Sequence, residues 1–311
     1  MQYDGFAPFE FNETARGVIA IVFNPTAGGN RAAAFLQKFK KTENACFLPT
    51  RQVGDAIILA EQAISDGATT VVAVGGDGTV NEVVNGIARH PDGLRQARLA
   101  VLPLGTINVF AKELNLPTDL DSAWHLIISG SERRIDLPYA IWPGGRTRYF
   151  IQMAGAGVDS ISIGRVRWSL KKSFGQVAYF WACAETYFLP RPTVVATLEN
   201  EELTGQWIGI GNGRFLGGRF PVFPRAQLDD GFLDIAVFPK VTLAATVRVV
   251  ARLLIDSLDR SSDVIHRQVR SFTLRGSPDL LFQVEGDIVG ELPVSIHISP
   301  GALRVVAPVK K

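Results

Sequence analysis

The sequence predicts two domains: an α/β N-terminal domain with a doubly wound, mostly parallel sheet, and a β-rich C-terminal domain formed by an antiparallel β-sandwich with helices. Up to Asp136, short apolar runs alternate with helical stretches, an order typical of parallel sheets. Beyond Asp136, Gly, Pro and Asp turns divide the apolar runs, which favours antiparallel strands. We therefore place the domains at residues 1–137 and 138–301, and leave open whether 302–311 returns to the first.

The N-terminal elements follow from the apolar pattern. Residues 18–23 form a continuous apolar run, as expected of a strand that is buried on both faces of a parallel sheet. Further strands are predicted at 69–74 and 100–103, and helices at 31–41, 55–66, 81–89 and about 106–114. Because ligands of such sheets bind beyond the carboxyl ends of the strands, the loops at those ends are the first candidates for a site.

The C-terminal part contains seven short apolar runs that we predict to be strands. They cover 149–153, 193–199, 206–210, 233–238, 271–275, 281–284 and 294–298. Two helical stretches interrupt them: an aromatic-rich one at 173–188, and one at 243–259 with Val247, Val250, Leu253, Leu254 and Leu258 on an apolar face.

Composition excludes several classes of function. The formal net charge is only +2 and no basic run carries interleaved aromatics, so no nucleic acid partner is expected. Cys46 and Cys183 lie far apart without a CxxC spacing, which indicates free thiols in a reducing cytosol. No apolar stretch reaches the roughly 18–20 residues that span a bilayer, and residues 1–13 do not resemble a secretory signal. We therefore expect a cytoplasmic protein without a transmembrane segment.

The strongest local motif is a glycine-rich segment between a buried strand and a helix. It consists of Gly75, Gly76, Asp77, Gly78 and Thr79, with the helix predicted to start near Asn81. Glycines let a ligand approach the backbone, and a helix N-terminus attracts anions, so the segment predicts a phosphate site. Thr79 is expected to cap the helix, and Asp77 indicates a Mg²⁺ ion between carboxylate and phosphate. A plain turn with a surface aspartate is the alternative, but turns seldom need so many glycines.

Two further strand-end loops have a similar character. Residues 24–29 begin with Asn24 and Pro25, and residues 103–108 contain Gly105 and Thr106 where a helix is predicted to begin. The fold brings three such loops to one edge of the sheet, which favours a shared site over three unrelated turns. The sequence has no GxxxxGK[ST] motif, no protein-kinase HRD or DFG set, and no GxGxxG opening the first helix.

These segments resemble the diacylglycerol kinase catalytic family, which includes bacterial diacylglycerol kinase-like lipid kinases and is related to sphingosine and ceramide kinases. The resemblance rests on 24–25, 75–86 and 104–108, and continues through 155–159, 211–213, 228–234 and 300–305. NAD kinases and phosphofructokinases share the GGDGT motif, but the loop at 104–108 and the segment at 228–234 favour lipid kinases. The resemblance implies an ATP-dependent kinase with a nucleotide cleft between its two domains.

The resemblance also implies site residues. Nucleotide contacts are expected from Asn24, Pro25, Thr50, the segment from Gly75 to Asn81, and Thr106. A structural Mg²⁺ is expected on the Asp230 side chain and the carbonyl groups of Gln227 and Phe232, a ligand set suited to a hard cation. A plain hairpin turn is the alternative at 229–231, because Asp-Gly pairs are common in turns.

One late motif departs from the family pattern. Where the family has Asp-Gly-Glu, with the glutamate taken as proton acceptor, this chain has Glu285, Gly286 and Asp287. The resemblance then makes Asp287 the catalytic base and Glu285 its carboxylate neighbour, with Asp77 holding a catalytic Mg²⁺. A solvated acidic turn is the alternative reading.

The expected acceptor is a lipid hydroxyl, such as that of diacylglycerol, reached transiently at the inner membrane surface. A basic cluster precedes the aromatic stretch at 173–188, and comprises Arg165, Arg167, Lys171 and Lys172. This arrangement is compatible with membrane contact, although aromatics at helical spacing more often indicate a core helix. A kinase of a soluble acceptor such as NAD and a non-catalytic lipid or nucleotide binder are the alternatives. The identity of the lipid and the formation of a homodimer stay open.

Overall fold

A computed structural model describes residues 18–27, 30–39, 45–165, 191–277 and 279–309. The chain divides into two compact units, the first formed by Met1–Ile135 with Ala302–Lys311 and the second by Asp136–Gly301. Several residues named in the sequence analysis lie outside the described residues. They are those of the predicted aromatic helix at 173–188, which include Cys183, and also Arg167, Lys171, Lys172, Gly28 and Gly29.

The first unit is built on a parallel sheet, as the alternating pattern predicted. Its strand order is β2 (Ala45–Pro49), β1 (Val18–Phe23), β3 (Ala68–Gly75), β4 (Arg98–Pro103) and the end of β18 (Val294–Val306). Each neighbouring pair is parallel, and β1 and β3 are almost entirely buried. Burial on both faces explains why these strands are continuous apolar runs in the sequence.

Helices cover both faces of this sheet. They are α1 (Asn30–Phe39), α2 (Asp55–Ser65), α3 (Asp77–Arg89), α4 (Gly93–Gln96), α5 (Val109–Glu113) and α6 (Leu120–Ser129). On one face, Phe35 and Phe39 of α1 pack with Ile127 of α6 over the strands. On the other face, α2 and α3 pack against each other and against β3. The unit is therefore a doubly wound α/β layer structure.

The second unit is an antiparallel β-sandwich. One sheet has the order β18, β15 (Ser271–Gly276), β8 (Val194–Thr197), β9 (Glu202–Gly205). The other has the order β14 (Ile265–Val269), β13 (Leu233–Phe238), β10 (Trp207–Gly211), β7 (Met153–Gly157), β16 (Leu281–Val284), β17 (Asp287–Glu291). Side chains from both sheets form one buried cluster, which includes Phe272 and Ile296 from the first and Ile208, Ile235 and Phe282 from the second.

The remaining elements of the described chain are four further strands and three helical segments. The strands are β5 (Glu132–Ile141), β6 (Thr147–Tyr149), β11 (Phe215–Leu216) and β12 (Phe220–Pro221). The helical segments are α7 (Val158–Arg165), α8 (Leu243–Leu254) and a 3₁₀ turn at Leu258–Arg260.

Two element predictions in the second unit were wrong in their bounds. Residues 149–153 were predicted as one strand, but they join the end of β6 to the start of β7. The helix predicted at 243–259 ends at Leu254, because Asp256 adopts a left-handed conformation with φ 48°. Its predicted apolar face is also divided: Leu253 packs against the core, whereas Val247 and Leu254 face solvent.

The C-terminal strand passes from the second unit into the first. Ile296 of β18 pairs with Phe272 in the sandwich, and Val305 of the same strand pairs in parallel with Leu99 of β4. Beyond the strand, the Ala307 amide donates to the Ser131 carbonyl at 3.1 Å. The chain from Ala302 onward therefore completes the sheet of the first unit.

Candidate functional site

Backbone hydrogen bonds link the loops that follow the parallel strands of the first unit. The amide of Asn24, after β1, donates to the carbonyl of Val74 at 3.1 Å. The amide of Thr50, after β2, donates to the carbonyl of Phe23 at 2.9 Å. These bonds extend the strand ladder by one residue, so the predicted nucleotide-contact residues Asn24 and Thr50 lie at the same sheet edge as Gly75.

Two glycine loops touch each other at this edge. The amide of Gly105 donates to the carbonyl of Gly75 at 3.1 Å. A methyl group added at Gly105 would lie 2.5 Å from the Cα atom of Gly76, and one added at Gly75 would lie 2.6 Å from the Thr79 hydroxyl oxygen. The loops after β3 and β4 therefore pack backbone against backbone, which only glycine permits.

The helix after β3 begins earlier than the sequence predicted. We expected it near Asn81, but α3 begins at Asp77, and Gly76 is its N-cap residue with extended backbone. Thr79 lies in the first turn, so its predicted role as helix cap was wrong. The first hydrogen bond of the helix runs from the Val80 amide to the Gly76 carbonyl. The amides before Val80 consequently have no acceptor within the helix and offer an anion site.

Asp77 occupies the positive end of the α3 dipole. Its Oδ1 atom accepts a hydrogen bond at 3.1 Å from the amide of Phe110, near the start of α5. The other carboxylate oxygen accepts no hydrogen bond from the described residues. Asp77 can therefore offer this oxygen to a hard cation such as Mg²⁺. The half-buried Asp77 therefore both joins the loops after β3 and β4 and fits the predicted metal role.

The remaining predicted contacts differ in exposure. Pro25 and Thr106 are exposed at the sheet edge, whereas Asn81 is buried within α3. The side chain of Asn85 donates to Asn81 at its carbonyl and, at 3.3 Å, at Oδ1. The structure thus gives Asn81 a packing role one turn into the helix. Asn24 accepts hydrogen bonds on Oδ1 from the amide and hydroxyl of Thr26.

Sequence reasoning missed two residues that shape these loops. Glu82 accepts hydrogen bonds from the amides of Gly54 and Ala56, and so fixes the start of α2. Asn108 has φ 51°, and its Nδ2 donates to the Gly105 carbonyl at 2.7 Å. Its Oδ1 is buried and accepts no hydrogen bond from the described chain, which suits a site that receives a donor from a ligand. The only sequence signal for these roles is their position beside the glycine motifs.

In the second unit, Glu285 and Gly286 form a two-residue hairpin turn. They join β16 to β17, and Val284, the last residue of β16, pairs with Asp287, the first residue of β17. Both turn residues have positive φ, 53° for Glu285 and 83° for Gly286. Hairpin turns of this twist usually carry Asn or Asp before the glycine, so glutamate is unusual at the first position.

The side chain of Glu285 compensates for its backbone conformation. Its Oε1 atom accepts hydrogen bonds from three successive amides, those of Ile151 at 2.9 Å, Gln152 at 2.7 Å and Met153 at 3.4 Å. Asp287, in contrast, is exposed at the start of β17. The two carboxylates of the exchanged motif therefore differ, one being bound to backbone amides and the other open to solvent.

A buried polar pair supports the same turn. Gln283 accepts the Gly286 amide at 3.0 Å on its Oε1 and donates from Nε2 to the Asp159 carboxylate at 3.0 Å. Asp159 is buried, and its other oxygen accepts the Ser160 amide at 2.7 Å. Burial raises the pKa of Asp159 to about 6, because desolvation disfavours the charged carboxylate.

The predicted structural metal site lies at a turn with several carboxylates. Asp230 accepts the Phe232 amide at 3.0 Å on Oδ1, and burial raises its pKa, with Asp136 and Asp229 adding to the effect. The buried Asp136 accepts the amides of Gly231 at 2.6 Å and Gly301 at 2.7 Å. A cation beside Asp230 would offset this concentration of negative charge, so the turn fits the predicted role.

The described residues contain no larger metal-binding cluster of side chains. Among the described residues, no group of three or more His, Cys, Asp or Glu side chains is arranged to hold a metal ion. This does not conflict with the predicted Mg²⁺ set, which combines the Asp230 carboxylate with carbonyl groups of Gln227 and Phe232. Within the described parts of the chain, no helix combines the length and hydrophobicity needed to cross a membrane.

Comparison with known proteins identifies the class to which this architecture belongs. Residues 18–140 match the diacylglycerol kinase catalytic domain, and residues 152–307 match the YegS C-terminal NAD kinase β-sandwich-like domain. The chain therefore belongs to the diacylglycerol kinase catalytic family, a family of phosphotransferases, in the form that carries a YegS-type second domain.

Particular relatives agree with this assignment over nearly the whole chain. A diacylglycerol kinase of Staphylococcus carnosus is 29% identical over 301 residues, covering 93% of this chain and 94% of the relative. One from Staphylococcus aureus is 28% identical over 300 residues, with 93% and 91% covered. A solved diacylglycerol kinase structure from Bacillus anthracis shares the fold, with TM-score 0.71, 21% identity, and 94% and 97% of the two chains covered.

Proposed function

We propose that this protein is a Mg²⁺-dependent lipid kinase that transfers the γ-phosphate of ATP to the hydroxyl of a lipid such as diacylglycerol. The observation that carries the proposal is the sheet edge of the first unit. There, the amides of Gly76, Asp77 and neighbouring residues in the first turn of α3 lie beside a second glycine loop at Gly105. Membership of a kinase family supports the reading of this edge as a triphosphate site.

The first unit is the proposed nucleotide-binding domain. Helix N-terminal amides provide hydrogen bonds and a favourable dipole for phosphate oxygens without any lysine. Asn24, Thr50 and Thr106 at neighbouring strand ends would contact the remainder of the nucleotide. Asp77 would hold a Mg²⁺ ion, which neutralises charge on the transferring phosphoryl group when it is bound. The residues of the chain position the triphosphate and stabilise the charge of the transferring phosphoryl group. The transfer needs no covalent intermediate with the protein.

The second unit is the proposed lipid-substrate domain, with Asp287 as the general base. A base accepts the proton of the acceptor hydroxyl while the hydroxyl oxygen bonds to the γ-phosphorus and ADP leaves. The exposure of Asp287 supports this role, because a substrate can reach its carboxylate. Glu285 would assist as the neighbouring carboxylate, and its bonds to Ile151, Gln152 and Met153 hold the turn on which the base sits.

A structural Mg²⁺ at the Asp230 turn is part of the proposal. Asp230 and the carbonyl groups of Gln227 and Phe232 would hold the ion. Its charge would stabilise a turn in which burial, with Asp136 and Asp229 adding to the effect, raises the pKa of Asp230. Its role is to keep this part of the sandwich ordered.

The lipid acceptor is supported by the relatives named above, which are described as diacylglycerol kinases. A soluble acceptor is the second candidate, because the β-sandwich of this chain is described as NAD kinase-like. We favour the lipid, and place its phosphorylation at the cytoplasmic surface of a membrane that the enzyme visits transiently.

The test is transfer of radiolabelled γ-phosphate to a total lipid extract, with NAD and no acceptor as parallel reactions. We expect a labelled lipid and no labelled NADP. Asp287→Asn should lower turnover about 10²–10⁴-fold while nucleotide affinity changes little, as removal of a general base does. Glu291→Gln, an exposed carboxylate in the same strand, is the matched control. Near-normal turnover of Asp287→Asn would refute the assignment of the base, and labelled NADP alone would refute the lipid acceptor.

A further inference from the structure

Helix α8 in the second unit has two apolar faces. The inner face is anchored: Ala245 is buried, and Val249 and Leu253 pack against a cluster that contains Phe238. The Thr242 side chain caps the helix by accepting the Ala245 amide at 3.2 Å. The helix is therefore fixed to the sandwich independently of its opposite face.

The outer face of α8 exposes large apolar side chains. Leu243, Val247 and Leu254 are 68%, 60% and 73% exposed, and Ile255, directly after the helix, is 69% exposed. With the half-buried Val250, the helical residues follow the spacing i, i+4, i+7, i+11, so they form one stripe along the helix. We call Leu243, Val247, Val250, Leu254 and Ile255 the outer stripe.

The concentration of these residues separates the outer stripe from ordinary surface hydrophobics. Seven large apolar residues are strongly exposed in the described chain, and four of them belong to this stripe. Single exposed apolar residues are common and need no explanation, but a contiguous patch indicates a binding surface. The helix itself gains nothing from apolar residues that face water.

Most charged side chains near the outer stripe are cations, and the exposed Asp256 that follows Ile255 is paired with Arg214 at 3.5 Å. From Lys240 to Ile255 the sequence has three cations, Lys240, Arg248 and Arg252, and no carboxylate. Arg248 is held by a bidentate pair with Asp263, at 2.6 and 2.8 Å. Lys240 and Arg252 are exposed and form no ion pair with the described residues. The surface therefore combines an apolar stripe with cations that remain available to anions.

We propose that α8 docks on an anionic lipid surface. The outer stripe enters the boundary between headgroups and acyl chains, while Lys240 and Arg252 contact anionic headgroups. A second copy of the chain is a poorer partner. Joining two copies through their stripes would leave Lys240 and Arg252 without an anionic partner, because the segment from Lys240 to Ile255 contains no carboxylate. This inference rests on the proposed function for its purpose, since docking brings the kinase to its lipid acceptor.

The experiment measures sedimentation of the full chain with vesicles, in the absence of nucleotide. One set of vesicles contains phosphatidylcholine alone, and the other also contains phosphatidylglycerol. We expect the wild type to bind the phosphatidylglycerol vesicles. Val247→Gln/Leu254→Gln should weaken that binding about 10–100-fold, because two exposed apolar side chains no longer enter the lipid. Lys240→Gln/Arg252→Gln should weaken it about tenfold or more, and only where phosphatidylglycerol is present.

The matched control is Val53→Gln/Ile128→Gln, which replaces two exposed apolar residues of the first unit and should bind as the wild type does. Wild-type binding by Val247→Gln/Leu254→Gln would overturn the proposal. So would a wild-type dimer that this variant converts to monomers in sedimentation equilibrium, since the stripe would then join two copies. Vesicle binding without phosphate transfer to any lipid would instead refute the proposed function and leave the docking surface in place.

Discussion

The strand-end loops of the first unit and the 285–287 turn of the second are held in different ways. Backbone groups fix the loops: the Gly105 amide bonds to the Gly75 carbonyl, and the two loops meet through their glycines. Side chains fix the turn: Glu285 accepts three amides, and Gln283 accepts a fourth. Because backbone groups hold the loops, the first amides of α3 remain available to an anion. Because the Glu285 and Gln283 side chains hold the turn, Asp287 is the exposed carboxylate of the motif.

This difference predicts how each region responds to substitution. In the loops, Asp77 can be changed while the backbone framework stays in place, so the effect should appear in activity. In the turn, Glu285 and Asp159 belong to the framework itself, so their effects should appear in stability. The following three experiments test that division, from the largest expected effect to the smallest.

Asp77→Asn should lower kcat/KM about 10²–10³-fold, because a neutral amide holds the Mg²⁺ ion that neutralises the phosphoryl charge far less tightly than a carboxylate does. The Asn side chain keeps an oxygen for the Phe110 amide, so the midpoint of urea unfolding should change little. Asp92→Asn, an exposed carboxylate in the same unit, is the control for activity. A large loss of stability with intact activity per folded molecule would show that Asp77 belongs to the framework.

Asp159 should make the stability of the second unit depend on pH. Its folded pKa of about 6 lies above its unfolded value of 3.8, so the protonated carboxyl stabilises the fold below pH 4. That stability is lost as the pH rises through 6, by about 3 kcal/mol for a shift near two pKa units. Urea unfolding of wild type and Asp159→Asn between pH 4 and 7.5 measures it. Equal pH dependence in the two proteins would contradict the assignment.

Glu285→Ala should destabilise the fold by about 2 kcal/mol, because the amides of Ile151, Gln152 and Met153 lose their shared acceptor. Glu285→Gln keeps an amide oxygen in the same place, so its free energy of unfolding should fall much less. Urea unfolding of both variants compares them. If the two are equally unstable, charge at this position matters more than the hydrogen bonds.

The sequence anticipated β1, β3 and β4 of the first unit, because their signals are local, but it did not predict β2 or α6. A buried parallel strand is a continuous apolar run, and the glycines at 75–78 mark its end. The start of α3 was missed, since Gly76 and Gly78 suggested a loop where the helix already begins at Asp77. Glycine permits both conformations, so composition alone does not separate the last loop residue from the first helical one.

The second unit was less predictable because its determinants are distant in sequence. The resemblance supplied Glu285 and Asp287 as candidates, but nothing near them indicates that Glu285 accepts amides more than 130 residues away. Asp136 was placed at a boundary and proved to bind the amides of Gly231 and Gly301. The apolar face predicted for α8 proved to be divided between core and solvent, since an apolar stripe does not reveal what covers it.

Strand β18 has a consequence for biosynthesis. Val305 supplies the parallel neighbour of Leu99, so β4 keeps an unpaired edge until residues 302–306 have been translated. An open strand edge is a template for pairing with other chains. The nascent first unit must therefore persist in an incomplete form while residues 136–301 are made. A premature stop codon shortly before residue 302 would therefore remove a strand from the sheet of the first unit, although that unit is otherwise encoded at the start of the sequence.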